Sequence, residues 1–131
     1  MYYLSFIIFG SLWGSFANVC IYRLPKNQSV ITGRSSCPSC KNKIYWYDNI
    51  PFLSFILLMG KCRHCKNSID LQYFIVELIS AVSFVSIYYF FGLTITSLLL
   101  LILSIFFIII FFIDLKHFII PNVLTFPLMI I

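Results

Sequence analysis

The sequence predicts an all-α polytopic membrane protein, with three transmembrane helices, the start of a fourth, and one long polar loop between the first two. Composition and charge placement carry that expectation. Hydrophobic residues make up 61% of the 131 positions and charged residues only 10%, against roughly 25% in a typical globular domain. A chain this short could not hide so much apolar surface in water, because small domains bury the smallest fraction of theirs. The few charges are also segregated. None lies between Met1 and Tyr22, eight basic and two acidic residues lie between Arg23 and Asp70, and only Glu77, Asp114 and Lys116 follow. A soluble enzyme core, a disordered chain and a collagen-like chain are thereby excluded.

Residues 1–22 are long enough to cross a hydrocarbon core of about 30 Å as a helix rising about 1.5 Å per residue. They lack the basic start and small-residue cleavage site of a removable signal, so they read as a retained span. Residues 23–70 form the polar loop. Within it the apolar run Ile50–Met59 is too short to span, and is expected at the membrane interface or packed against the loop. Leu71–Ile113 holds 43 residues with a single acid, too many for one crossing. Gly92 and the Thr94/Thr96 pair mark a turn that divides it into spans at 71–91 and 95–113. Residues 114–131 begin with the polar edge Asp114, Lys116 and His117, and an apolar stretch then runs from Phe118 to Ile131 as the start of a further helix. No internal repeat is visible, and Lys26–Arg34 is the nearest thing to a mobile segment.

Orientation follows from the positive-inside bias. The loop carries a net charge of +6, so it is expected in the cytoplasm with the N-terminus outside. Asp114, Lys116 and His117 then emerge on the cytoplasmic side, beside the basic loop.

Four of the five cysteines form two C-x2-C knuckles, Cys37/Cys40 and Cys62/Cys65, separated by 21 residues. Two such knuckles can close a tetrahedron of thiolates around Zn²⁺, and four sulfurs with no open position make a structural site. Two disulfides are the rival arrangement, and a cytoplasmic loop disfavours them. Metal binding would then supply folding energy to a loop with little core of its own. His64, inside the second knuckle, is expected to be a solvated neighbour rather than a ligand. Cys20 reads as a small apolar filler of the first span. A basic metal-bearing loop also raises nucleic-acid binding, but topology already accounts for the positive charge, so no nucleic-acid partner is expected.

Asp114 follows an almost unbroken apolar run. A carboxylate at a membrane boundary is a functional candidate, because carrying it there costs free energy unless it is used or paired. The alternative is that it ends the span with Lys116 as its partner. Aspartic proteolysis needs two carboxyls sharing a proton, so Asp114 alone does not suffice. Glu77 would either pair with a loop Lys or Arg or act in its own right. Asp48 would cap the turn before Ile50-Pro51 or point at a substrate, with capping favoured.

Several stretches together resemble the bacterial type IV prepilin peptidases. They are Gly14-Ser15-Phe16-Ala17-Asn18-Val19 with Ile21-Tyr22-Arg23-Leu24-Pro25, then Cys37-Pro38-Ser39-Cys40 through Trp46-Tyr47-Asp48-Asn49-Ile50-Pro51 to Gly60-Lys61-Cys62-Arg63-His64-Cys65. Tyr73 to Val76-Glu77 and Ile113-Asp114-Leu115-Lys116-His117-Phe118-Ile119-Ile120-Pro121-Asn122 match as well. The resemblance implies an enzyme of the bacterial inner (cytoplasmic) membrane, serving type IV pilus or type II secretion assembly. Such an enzyme cleaves the leader from prepilins or pseudopilins on the cytoplasmic side. It then N-methylates the new N-terminus with S-adenosylmethionine. It also implies that Asp114 is the first catalytic aspartate and that Cys37, Cys40, Cys62 and Cys65 hold the zinc. The family's second aspartate lies in a GxGD motif, and none occurs in residues 1–131. The chain is therefore expected to be an incomplete peptidase, with the second acid further along or supplied by a second chain. The alternative is a non-hydrolytic membrane zinc module that binds prepilin or assembly components.

Overall fold

The computed structural model describes residues 2–118, 120 and 122–131. Met1, of the expected first span, lies outside the described residues. So do Ile119 and Pro121, which belong to the apolar stretch after Asp114. Helix α1 covers Tyr3–Arg23, α2 Leu53–Leu57, α3 Leu71–Phe91, α4 Ile95–His117 and α5 Asn122–Ile130, with short 3-10 turns at Leu24–Lys26 and Trp46–Asn49. Three of these helices are long and apolar enough to cross a membrane: α1 with its 3-10 extension, α3 and α4. Much of their outward surface is large and apolar, as at Phe9, Trp13, Val82, Phe107 and Phe111. That exposure suits a lipid solvent and would be costly in water.

Without a hydrophobic force between helices in lipid, close packing of small residues holds them together. The α1–α3 seam is built that way. A Cβ on Gly10 would lie 2.7 Å from Ala81 Cα, and one on Gly14 would lie 2.7 Å from Glu77 Cα, so the backbones approach as only glycine allows. One turn further on, the buried Asn18 donates through Nδ2 to the Tyr73 carbonyl at 3.0 Å, a polar tie across the same seam. The two helices are antiparallel, since Phe6 stacks on Tyr88 at one end while Asn18 meets Tyr73 at the other. Helix α4 closes the bundle with Ile105, Ile108, Ile109 and Ile113, packed into one core with Ala17, Ile21, Val76 and Phe84.

Local signals set the ends. Asp70 caps α3 by accepting from the Gln72 amide at 3.0 Å. Gly92 ends that helix at φ +63, where a side chain would be strained. Thr94 and Ser97 then form a reciprocal capping box that starts α4. Thr96 lies in the first turn of α4, within the span expected at 95–113. Nothing between Ile113 and His117 breaks a helix, so Asp114, Lys116 and His117 occupy the last turn of α4. Phe118, at φ +52, closes it by donating its N–H to the Asp114 carbonyl. Helix α5 has Pro127 within it and packs on the core through Leu124.

The segment Lys26–Arg34, the nearest thing to a mobile segment in the sequence, is gathered by one side chain. Arg23 sits at the end of α1 and spreads its guanidinium over the carbonyls of Ser29 and Thr32, at 2.9 and 2.8 Å, and of Gly33 and Arg34, both at 3.3 Å. Its five donors in a fixed fork suit it to gather a loop. The Lys26 ammonium lies 3.6 Å above the Tyr22 ring.

Candidate metal centre and its surroundings

The loop between α1 and α3 folds around its cysteines. Each knuckle has the same backbone plan. The Cys37 amide donates to Asn42 O and the Lys41 amide to Cys37 O; likewise the Cys62 amide donates to Asn67 O and the Lys66 amide to Cys62 O. Ile44 donates to Ser35 O, and Ile69 to Gly60 O, nine residues back in both cases. Isolated antiparallel bridges, Ser36 with Lys43 and Lys61 with Ser68, close the two turns. Lys41 and Lys66 both adopt positive φ, 58 and 57. An internal repeat is therefore present after all: C-x-x-C-Lys-Asn-x-Ile occurs at Cys37–Ile44 and again at Cys62–Ile69. It is short, and half of it is the knuckle spacing itself, so only the Lys-Asn-x-Ile tails distinguish it in the sequence from two unrelated knuckles.

The repeats bring all four sulfurs within 4.8 Å of one another. Cys37 Sγ lies 3.8 Å from Cys65 Sγ, and Cys40 Sγ lies 4.0 Å from Cys62 Sγ. Sulfurs at about 2.3 Å from a tetrahedral Zn²⁺ are about 3.8 Å apart, so the spacing suits that ion. No cysteine is in a disulfide. The Cys40 amide, and after it that of Ser39, hold the Cys37 thiol down to about 6 against the effect of burial. The Cys65 and His64 amides likewise hold Cys62 below the ordinary thiol range. Against the pull of the Asn67 amide, burial and the neighbouring sulfurs of Cys62, Cys37 and Cys40 push Cys65 up to about 11. Four sulfurs this close favour a bound cation, because a positive charge at their centre offsets the mutual repulsion of thiolates. The cluster can hold a metal ion, and its donor set fits zinc.

The second knuckle is braced from outside. Arg63 forks onto Asp48, Nε to Oδ2 at 2.8 Å and Nη2 to Oδ1 at 2.7 Å, and the Asp48 side chain is only 9% exposed. Asp48, expected to cap its turn, is instead the anchor of Arg63, because a bidentate guanidinium outcompetes a single amide for a carboxylate. Tyr45 stacks on Tyr47 at 5.2 Å, and the His64 ring lies 5.8 Å from Tyr45. His64 is therefore an exposed ring packed on an aromatic, outside the sulfur cluster.

Among the described residues Glu77 pairs with neither a lysine nor an arginine. Its Oε2 accepts the backbone N–H of Phe52 at 3.0 Å, joining α3 to the start of α2. Phe52 has φ +60, and no sequence signal marked it. Asp114 is exposed at the end of α4. Among the described residues its carboxylate has no hydrogen-bond or ion-pair partner. Lys116, the partner expected for it, reaches Asp70 instead at 3.0 Å, since Asp70 at the start of α3 stands beside the end of α4. That pair ties the Asp114 edge to the residue directly after the second knuckle's repeat. The structure thus sets Asp114 at the same end of the bundle as the four-cysteine loop.

Against known proteins, the model of the bacterial peptidase A24 N-terminal domain matches residues 8–91. The chain belongs to that family. For this A24 N-terminal domain, the match takes in α1 from residue 8 onward, the whole cysteine loop and α3. It is similar to the prepilin leader peptidase/N-methyltransferase of Vibrio cholerae, 42% identical over 136 residues that cover 98% of this chain and 54% of the relative. The protein of the same description from Myxococcus xanthus is 38% identical over 120 residues, covering 92% of this chain and 36% of the relative. That from Pseudomonas aeruginosa is 31% identical over 146 residues, covering 94% and 50%. The chain spans about half the length of these relatives or less. No solved structure matches it. Three membrane-length apolar helices and this bacterial family make it a bacterial membrane protein.

Proposed function

We propose that the chain is the N-terminal portion of a membrane aspartic endopeptidase of the prepilin peptidase type. It would cleave leaders from type IV prepilins or pseudopilins and methylate the new N-terminus with S-adenosylmethionine. The observation that carries this reading is the convergence, at one end of the bundle, of the exposed Asp114 carboxylate and the four-cysteine loop, linked by the Lys116–Asp70 pair. Its relatives' names point the same way. In this reading Asp114 is one member of a carboxyl pair that activates water. The second acid comes from a GxGD motif outside residues 1–131, on the same polypeptide or a second one. Cys37, Cys40, Cys62 and Cys65 hold a structural Zn²⁺, which supplies folding energy to the loop and takes no part in hydrolysis. The loop and Asp114 face the cytoplasm, as the net charge of the loop favours.

The test is leader removal, read as a mobility shift of a prepilin co-expressed with this chain and with a polypeptide carrying the GxGD half. Asp114→Ala should lower processing by at least about 100-fold, while metal analysis still finds about one zinc per chain. Processing that survives Asp114→Ala would remove the peptidase role and leave a non-hydrolytic membrane module.

A further inference from the structure

Helix α2 presents a surface that neither the cysteine centre nor Asp114 uses. On one side it is fastened to α3: Phe52 donates to Glu77, and the rings of Phe52 and Phe55 meet Phe74 at 5.7 and 5.3 Å. On another side Leu53, Ile56 and Leu57 line up at i, i+3 and i+4 spacing, and Met59 follows. These four side chains are 51 to 85% exposed. A five-residue helix has no stability of its own in water, and a row of four exposed apolar groups marks a surface that meets membrane or protein.

Two observations identify what lies against this face. Phe52 closes an apolar groove of about 410 Å³ with Ile7, Leu78, Val82 and Val85, on the outer flank of α1 and α3. That flank belongs to two membrane-length helices, so α2 continues a surface already directed at lipid. The charge pattern agrees. No carboxylate occurs from Asn49 to Ile69, while Lys43, Lys61 and Lys66 are exposed around the module. Apolar side chains beside cations are the signature of a segment lying in the headgroup–acyl boundary, and lysines favour acidic headgroups.

We propose that Leu53, Ile56, Leu57 and Met59 are seated in the headgroup–acyl boundary of the bilayer that α3 crosses. The Glu77–Phe52 bond and the Phe74 stack set that depth, and the four-cysteine loop is thereby held against the membrane surface. The proposal requires only that α3 spans a bilayer. It stands apart from the peptidase reading, and failure of leader processing leaves it unaffected.

A single reporter tests it. Trp13→Phe and Trp46→Phe remove both native tryptophans, and Leu57→Trp places one on the face. The full chain is reconstituted in mixed phosphatidylcholine–phosphatidylglycerol vesicles. Phospholipid brominated near the headgroup end of its acyl chains should quench this reporter roughly twofold or more, because an interfacial face lies only about 5–10 Å deep. Aqueous acrylamide should barely reach it. Quenching by acrylamide and not by bromolipid would put the face in water, and quenching by neither would put it under protein. Either result overturns the proposal. Met59→Trp in the same background gives the same readout if Leu57→Trp disturbs the fold.

Discussion

Arg23 and Arg63 use one functional group in two ways. Arg23 collects four backbone carbonyls and so orders a loop that has no core. Arg63 grips one carboxylate, Asp48, and so fixes the backbone that carries Cys62 and Cys65. Arg63→Ala leaves a nearly buried Asp48 carboxylate without its partner, and should weaken zinc retention about tenfold in a chelator competition, as loss of a residue supporting metal ligands typically does. Arg63→Lys keeps the charge, loses the fork and should fall between the two. Asp70 supplies a pH dependence. The Gln72 amide, and after it the Lys116 ammonium, hold its carboxyl below the usual carboxylate range. The sign follows from linkage: its contribution is present above the unfolded value of about 3.9 and is lost as pH falls through the lower folded value. Half of the Asp70 side chain is exposed, so the ion pair is worth less than about 1 kcal/mol. Thermal unfolding in detergent from about pH 5 to about pH 3 should show an acid-dependent loss that Asp70→Asn lacks.

At the scale of elements, the α1–α3 seam depends on absence of side chains. Gly14→Ala would place a carbon 2.7 Å from the Glu77 backbone, and a rigid helix cannot yield there as a flexible side chain would. The helices must separate, at a cost of about 1–3 kcal/mol, read as a lowered midpoint of unfolding in detergent. The same separation would strain the Asn18–Tyr73 bond one turn away. The three long helices were legible from hydropathy, because in lipid a span is decided by length and the sum of its apolar residues. The cysteine knuckles were legible from spacing, because two residues between thiols nearly determine the turn that presents them. The links between elements were not. Asn18 and Tyr73 are 55 residues apart, Asp70 and Lys116 are 46 apart, and Phe52 and Glu77 are 25 apart. No local pattern selects one partner over another at such separations. Thus Lys116 looked like the mate of Asp114, its neighbour in sequence, until the packing of α3 against α4 brought Asp70 closer.

For the whole molecule, the helix bundle and the cysteine loop derive their stability from different sources. The bundle has an apolar core within and an apolar surface suited to lipid; the loop has almost none of that core and is gathered around its four cysteines, by Arg23 and by Arg63. Chelation should therefore raise amide hydrogen exchange through residues 35–69 while α1, α3 and α4 remain protected, since the binding energy of a structural zinc is folding energy for the module it closes. Loss of protection across the three long helices as well would mean that the loop and bundle fold as one unit. The sequence by itself determined the solvent of this protein, its helical class and the metal-ready chemistry of its cysteines. Those properties are sums over composition or consequences of spacing within a few residues. Tertiary structure alone decided which of the few polar groups find one another. It gave Asp48 to Arg63, Glu77 to the Phe52 amide and Asp70 to Lys116, and it left Asp114 exposed at the end of the bundle that carries the loop. With so few charges available, each pairing depends on which segments pack side by side: the Trp46–Asn49 turn against the second knuckle for Asp48, α2 against α3 for Glu77, and the ends of α3 and α4 for Asp70.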